Sequence, residues 1–329
     1  MKLILGFSIP LLFGNLFQQF YSMVDTMIVG RVLGTGPLAA VGSTGSITFL
    51  IIGFCLGLCS GFAIPVAQRF GSRDYKELRR FIGNAVWLCV GFGFVLTVLT
   101  VIFCRNILEF MDTPADIIDD AYAYLVVIFA GIPATFLYNM LAGIQRAIGD
   151  SRTPVVILVI ASIINIVLDV VLVVFIPMGV AGAAVATVAS QLIGGVVCLL
   201  YVSKHYEVLK MTREDFKINV PCIKRLLSMG LPMALQTSIT AIGSVILQAS
   251  VNSLGSTVVA SITAGSRLYM FFACAYDAMG VTMSTYSGQN IGARKIDRIG
   301  QGVKACNIVG IIYSCLLYTS PSPRDRSVS

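Results

Sequence analysis

Gln68-Arg-Phe-Gly-Ser-Arg73 and Gln289-Asn-Ile-Gly-Ala-Arg294 are two copies of one phrase, Gln-X-X-Gly-small-Arg, each standing at the end of a long apolar segment. A second pair of short matches, Leu33-Gly34 and Leu254-Gly255, keeps the same separation. Each copy also follows a helix-sized stretch opened by a glycine and a proline, Gly6 and Pro10 in one case, Gly230 and Pro232 in the other. The seventh apolar span therefore restarts the architecture of the first. Six spans separate the copies, an even number, so both run the same way through a membrane and form a parallel repeat.

Composition requires the membrane. Hydrophobic residues make up 57% of the chain, charged residues 12%, and the mean hydropathy is +0.87. One soluble core cannot hide that much apolar surface, so the fold class is an all-α polytopic membrane protein. The net charge of +7 does not point to nucleic acid, because no long polar segment exists to carry a basic patch. Nine scattered cysteines without a CxxC pair read as small reduced hydrophobes, and the lone His205 reads as a solvated loop residue, so no metal site and no bound cofactor are expected. The first apolar run is too long for a cleavable signal peptide.

Windows of about 20 apolar residues place spans near 3–30, 38–67, 81–103, 122–144, 154–176, 181–202, 227–251, 258–289 and 305–318. Kinks are expected where Pro10, Pro65, Pro133 and Pro232 fall. Basic residues crowd the loops of one side: Arg69 to Arg80, then Arg146 and Arg152, then Lys204 to Arg225, then Arg294 to Lys304. The other side carries only Arg31 and Arg105 and has an acidic loop with Glu109, Asp112 and Asp116. The excess of Lys and Arg predicts a cytoplasmic N-terminus and a multi-pass protein of the plasma (inner) membrane. The repeat divides the chain into an N-terminal six-helix lobe over 1–203, an inter-lobe loop over 204–226 and a partial C-terminal lobe of about three helices over 227–318. The ninth run, about 14 residues or ~21 Å, is short against a ~30 Å bilayer core. Residues 319–329, TSPSPRDRSVS, are expected to be a disordered or non-native tail, and the chain a C-terminally truncated fragment of about nine helices.

Four ionisable residues fall inside spans: Asp25 in FYSMVDTMIVGRVLG (20–34), Asp169 in the fifth, and Arg267 and Asp277 in the eighth. A charge at a helix centre costs about 2.5–3.5 kcal/mol on insertion scales, so each needs a partner or a wet cavity. Asn165 and Asp169 stand four residues apart and share a helix face. Asp25 and Asp169 both fall in the outer parts of outward-running helices and can meet, and Asn139 and Thr187 can complete a polar cluster, although Asn139 lies deeper. Two buried carboxyls with amide neighbours can share a proton that wetting of the cavity releases, or ligate Na⁺ through oxygen atoms. Static glue between helices is the plainer alternative, but small residues do that work without burying acid.

Six stretches together resemble the multidrug and toxic compound extrusion (MATE) family: PLLFGNLFQQFYSMVDTMIVGRVLG (10–34), AQRFGSRD (67–74), AGIQRAIGDSRTP (142–154), NIVLD (165–169), GVAGAAVAT (179–187) and SGQNIGAR (287–294). The resemblance implies two six-helix lobes around a central cavity and export of cationic or amphiphilic small molecules in exchange for H⁺ or Na⁺, the coupling ion being the sole cofactor-like species. It also implies a cation site at Asp25, Asn139, Asn165, Asp169 and Thr187, a gating kink at Pro10, no enzymatic activity and a monomer in the lipid bilayer. One branch of the family has a glutamate in the seventh helix. This chain has only Gln236 and Gln248 there, so it is more similar to the DinF-type branch, and Gln236, Asp277 and Arg267 remain secondary candidates. Two other readings are a flippase for lipid-linked precursors, which wants several basic residues in the cavity where only Arg267 is a candidate, and an intramembrane aspartyl protease, whose GxGD context neither aspartate has.

Overall fold

The computed structural model describes residues 2–252 and 256–318; the side chains of 245, 248–252, 256–261, 263–264 and 267–268 are outside the described set. Leu254 and Gly255 of the second echo, the side chains of Gln248 and Arg267, and the tail from 319 onward therefore lie outside it.

The spans are helical, but several are built from more than one helix. The order is α1 (Lys2–Val32), α2 (Thr35–Ser43), α3 (Gly45–Gly71), α4 (Tyr75–Ile102), α5 (Cys104–Phe110), α6 (Ile118–Ala130), α7 (Ile132–Ala147), α8 (Arg152–Asp169), α9 (Val180–His205), α10 (Val220–Asn252), α11 (Ser256–Gly292) and α12 (Ile296–Tyr318). Twelve helices among the described residues thus replace the nine expected. The second span breaks at Thr44 between Gly42 and Gly45, where glycine lowers the cost of leaving the helix. The fourth bends by 45° at Gly131. Pro133 sits there in the first turn of α7, where its missing N–H leaves no bond unmade. Pro10, Pro65 and Pro232 instead lie inside continuous helices.

The ninth span is a correction. Helix α12 is 23 residues long, because its first turns, which carry Asp297, Arg298 and Lys304, are helical though not apolar. Seven described helices, or eight if α6 and α7 form one broken span, are long and apolar enough to cross a membrane. The eighth expected span falls in α11, a continuous helix of 37 residues.

Helix α3 is the hub, packed against α10, α7, α11 and α4, while α1 leans on α11 and α8, and α9 gathers α6, α7 and α8. Its buried stripe is Cys55, Leu58, Phe62 and Val66. Close approach of α10 rests on glycine: a Cβ on Gly57 would lie 2.6 Å from Ala234 Cα, and one on Gly61 would lie 2.5 Å from Gly230 Cα. This is the small-residue helix contact expected in a membrane.

The two copies of the opening phrase fold alike. Arg73 and Arg294 both adopt left-handed backbone, with φ of 59° and 56°. Their N–H groups donate to Phe70 O and Ile291 O, each at 3.0 Å, and the next N–H groups donate to Arg69 O and Asn290 O. The copies also touch reciprocally: a Cβ on Gly71 would run into Gln289 O, and a Cβ on Gly292 into Gln68 O. Residue i meets j and j meets i, the signature of a local two-fold axis.

The segment between α9 and α10 is clasped to α4. Fully buried Asn84 donates from Nδ2 to Arg80 O at 2.8 Å and to Lys217 O at 3.3 Å, and accepts from Asn219 N–H at 2.8 Å. Trp87 Nε1 donates to Phe216 O at 2.9 Å, and Arg79 pairs with Asp215 at 3.4 Å. Burial alone would push the Asp215 carboxyl up, but hydrogen bonds from the Thr212 N–H and hydroxyl, with the Arg79 charge, hold it below the usual carboxylate range. A depressed carboxylate contributes stability above its unfolded value of about 3.9 and loses it as pH falls through the lower folded value. Asp215→Asn should therefore speed tryptic cleavage at Arg213 and Lys217 several-fold at neutral pH. Thermal stability of the wild type should fall more steeply than that of the variant below about pH 4.

Candidate functional site: paired carboxyls beside a cavity

Helix α8 carries Asn165 and Asp169 on one face, and the chain then passes into a six-residue π-helical turn, Val170–Phe175. Such wide turns recur at functional sites. Asp169 is fully buried and Asn165 is 2% exposed. With its amide turned to satisfy both neighbours, Asn165 donates to Asp169 Oδ2 at 3.3 Å and accepts from the Thr187 N–H at 3.3 Å. Asp25, half-buried on α1, lies with its carboxyl beside that of Asp169. Two carboxyls that close can bond one another only with a proton between them. Oδ1 of Asp25 and Oδ1 of Asp169 are each buried without a protein partner. Buried acceptors left orphan fit a proton or a hard cation that takes oxygen ligands. Tyr21 and Tyr124 stand near the pair. Neither tyrosine was singled out from the sequence, where aromatic residues in apolar helices carry no distinguishing signal.

Below the pair lies a cavity of about 300 Å³ lined by α1, α3, α7, α8, α9 and α11. Asn165 lines it, as do Asn139 and Gln191. Asn139 donates to Thr135 O at 2.8 Å, within its own helix. It belongs to the cavity wall and is not hydrogen-bonded to either carboxyl, in line with its greater depth. Thr187 joins the cluster through its backbone N–H rather than its hydroxyl.

Arg146 departs furthest from expectation. Placed by charge in a basic loop, it is in the last turn of α7 and lines the same cavity. Asn139 and Arg146 are two helical turns apart, so one face presents both. That spacing was the available signal.

Pro10 is half-buried in α1 where that helix leans on α11, with Ser8 Oγ donating to Thr282 Oγ1 at 2.8 Å and Asn15 Nδ2 to Cys274 O at 3.4 Å. Asp277 and Gln236 are exposed, on α11 and α10, away from the paired carboxyls. The Arg267 side chain is outside the described residues.

The MatE family profile matches residues 10–171 and 232–320. A probable multidrug resistance protein of Bacillus subtilis, YoeA, is 30% identical over 323 residues, covering 95% of this chain and 70% of its own. An FAD transporter of Shewanella oneidensis is 25% identical, covering 96% and 71%. Among solved structures, a MOP superfamily transporter from Pyrococcus furiosus superposes with a TM-score of 0.90 at 24% identity, over 96% of this chain and 70% of that one. The chain therefore belongs to the MatE family of multidrug efflux transporters.

Proposed function

We propose that this chain works as a cation-coupled secondary antiporter of cationic or amphiphilic small molecules, taking up H⁺ or Na⁺ as substrate leaves. The observation that carries this reading is the neighbouring Asp25 and Asp169 carboxyls with two orphan oxygens, Asp169 anchored by Asn165. The N-terminus lies in the cytoplasm, as the basic loops require. Residues 1–203 form one lobe, 204–226 a connecting loop, and 227–318 belong to a second lobe. Rocking of one repeat against the other gives alternating access. No Asp or Glu occurs in α10, which supports the DinF-type branch and a single cation site. Efflux from vesicles driven by a proton or sodium gradient tests the mechanism through the two aspartates, as argued below.

Pro10 supplies a gate in this scheme. Proline removes one backbone donor and leaves the Gly6 carbonyl without its intrahelical partner, so α1 can bend there. Pro10→Ala restores that bond. Substrate turnover should fall several-fold while equilibrium substrate binding stays the same; unchanged turnover would detach Pro10 from gating.

A second reading, the lipid-linked precursor flippase, gains from Arg146 in the cavity, where an anionic headgroup has a partner. Relatives named for multidrug resistance and for FAD transport leave substrate charge open across the family.

A further inference from the structure

We infer that the cavity bounded by α7 and α8 holds an anionic amphiphile, its carboxylate, sulfonate or phosphate on Arg146 and its apolar body along the helices above. This deepens the transporter reading and rests on it in taking the cavity as the substrate compartment. Arg146 is the only charged side chain among the described residues lining it. Its surroundings are Tyr138, Cys59 and Cys198, and no carboxylate among the described residues pairs with it. A guanidinium half-buried in a cavity wall gains from a counter-charge, and none of the described residues supplies one.

The nearby aspartates do not fill that role. They sit beyond Asn165, engaged with one another and with its amide. A cationic guest would enter beside an uncompensated positive charge. Neutral donors favour an anion as well: Gln191 Oε1 accepts from Thr135 Oγ1 at 2.7 Å, which leaves its amide N–H groups for a guest. The walls between, Leu56, Val155, Leu158 and Ala278, are apolar, and about 300 Å³ suits a small amphiphile. Charge movement is consistent too. Uptake of a cation and release of an anion both run down an inside-negative membrane potential.

The probes are naphthalene-2-sulfonate and its cationic counterpart, 2-naphthyltrimethylammonium. Equilibrium dialysis against the purified chain in neutral detergent, with no ion gradient, makes the outcome independent of whether efflux is cation-coupled. The sulfonate should bind about tenfold more tightly than the ammonium, as one charge-assisted contact provides. Arg146→Gln should erase that preference and Arg146→Lys keep part of it. Native mass spectrometry separates the sources of the anion. A co-purified phosphatidylglycerol displaced by the sulfonate marks a lipid headgroup, and sulfonate binding with no retained lipid marks a soluble anion; both uphold the anionic class. Equal or tighter binding of the ammonium by the wild type overturns the inference, whether or not the Arg146 variants fold. So does undiminished sulfonate binding by Arg146→Gln.

Discussion

Asp25→Asn and Asp169→Asn should each abolish cation-driven efflux in the intact transporter while leaving it folded. Asparagine keeps the size of the side chain and one acceptor oxygen, so the pairing of α1 with α8 survives through an amide–carboxyl hydrogen bond. What it removes is the exchangeable proton and one negative charge. Each aspartate has an Oδ1 buried without a protein partner, and in the proposed mechanism that oxygen holds the proton or Na⁺. The transport rate should drop by about two orders of magnitude, the usual effect of deleting an essential proton-carrying group. Reconstituted vesicles given a pH jump or a sodium jump measure the loss and identify the ion: the gradient that drives the wild type and fails to drive the variants is the coupling gradient. Undiminished export by a folded Asp25→Asn protein would end the mechanism, and the pair would then be helix glue.

Much of this site could be read from residue spacing, and the unread parts share a physical cause. Asn165 and Asp169 are one helical turn apart, and any helix through NIVLD presents them together. Asp25 announced itself as an acid in an apolar run. Hydropathy, however, averages composition and is blind to backbone angles. It therefore merged α2 with α3 across Thr44 and α6 with α7 across Gly131. It also ends a span where charge begins, although a helix does not have to end there. That is why α12 looked short and why Arg146 was assigned to water when α7 continues through it into the cavity wall. The place of Asn139 depended on the rotation of α7 about its axis, which packing against α3 and α9 sets and single-chain periodicity does not.

The crossing of the two repeated turns yields the second large effect. Gly71→Val and Gly292→Val should each strongly destabilise this arrangement, because the added Cβ collides with a backbone carbonyl, Gln289 O in one case and Gln68 O in the other. A side chain can swing away from such a clash, whereas a carbonyl inside a helix end can yield only if the helices separate. Gln289 is further tied by its Nε2 to Ala147 O at 2.8 Å. Overpacking of this kind costs about 1–3 kcal/mol, or more where backbone meets backbone, and lowers the melting temperature by about 2–4 °C per kcal/mol in chains of 150–250 residues, somewhat less in one this long. Gly280→Ala is the control. Nothing lies within 4 Å of a Cβ there, and the exposed helical position should gain stability from alanine. Reciprocity sharpens the test, because each glycine faces the equivalent atom of the other copy. The two valine variants should lose similar amounts, and the double variant should lose less than their sum, since one separation of the helices relieves both clashes. A Gly71→Val protein as stable as Gly280→Ala, or strictly additive losses, would show that the turns do not meet across a shared axis.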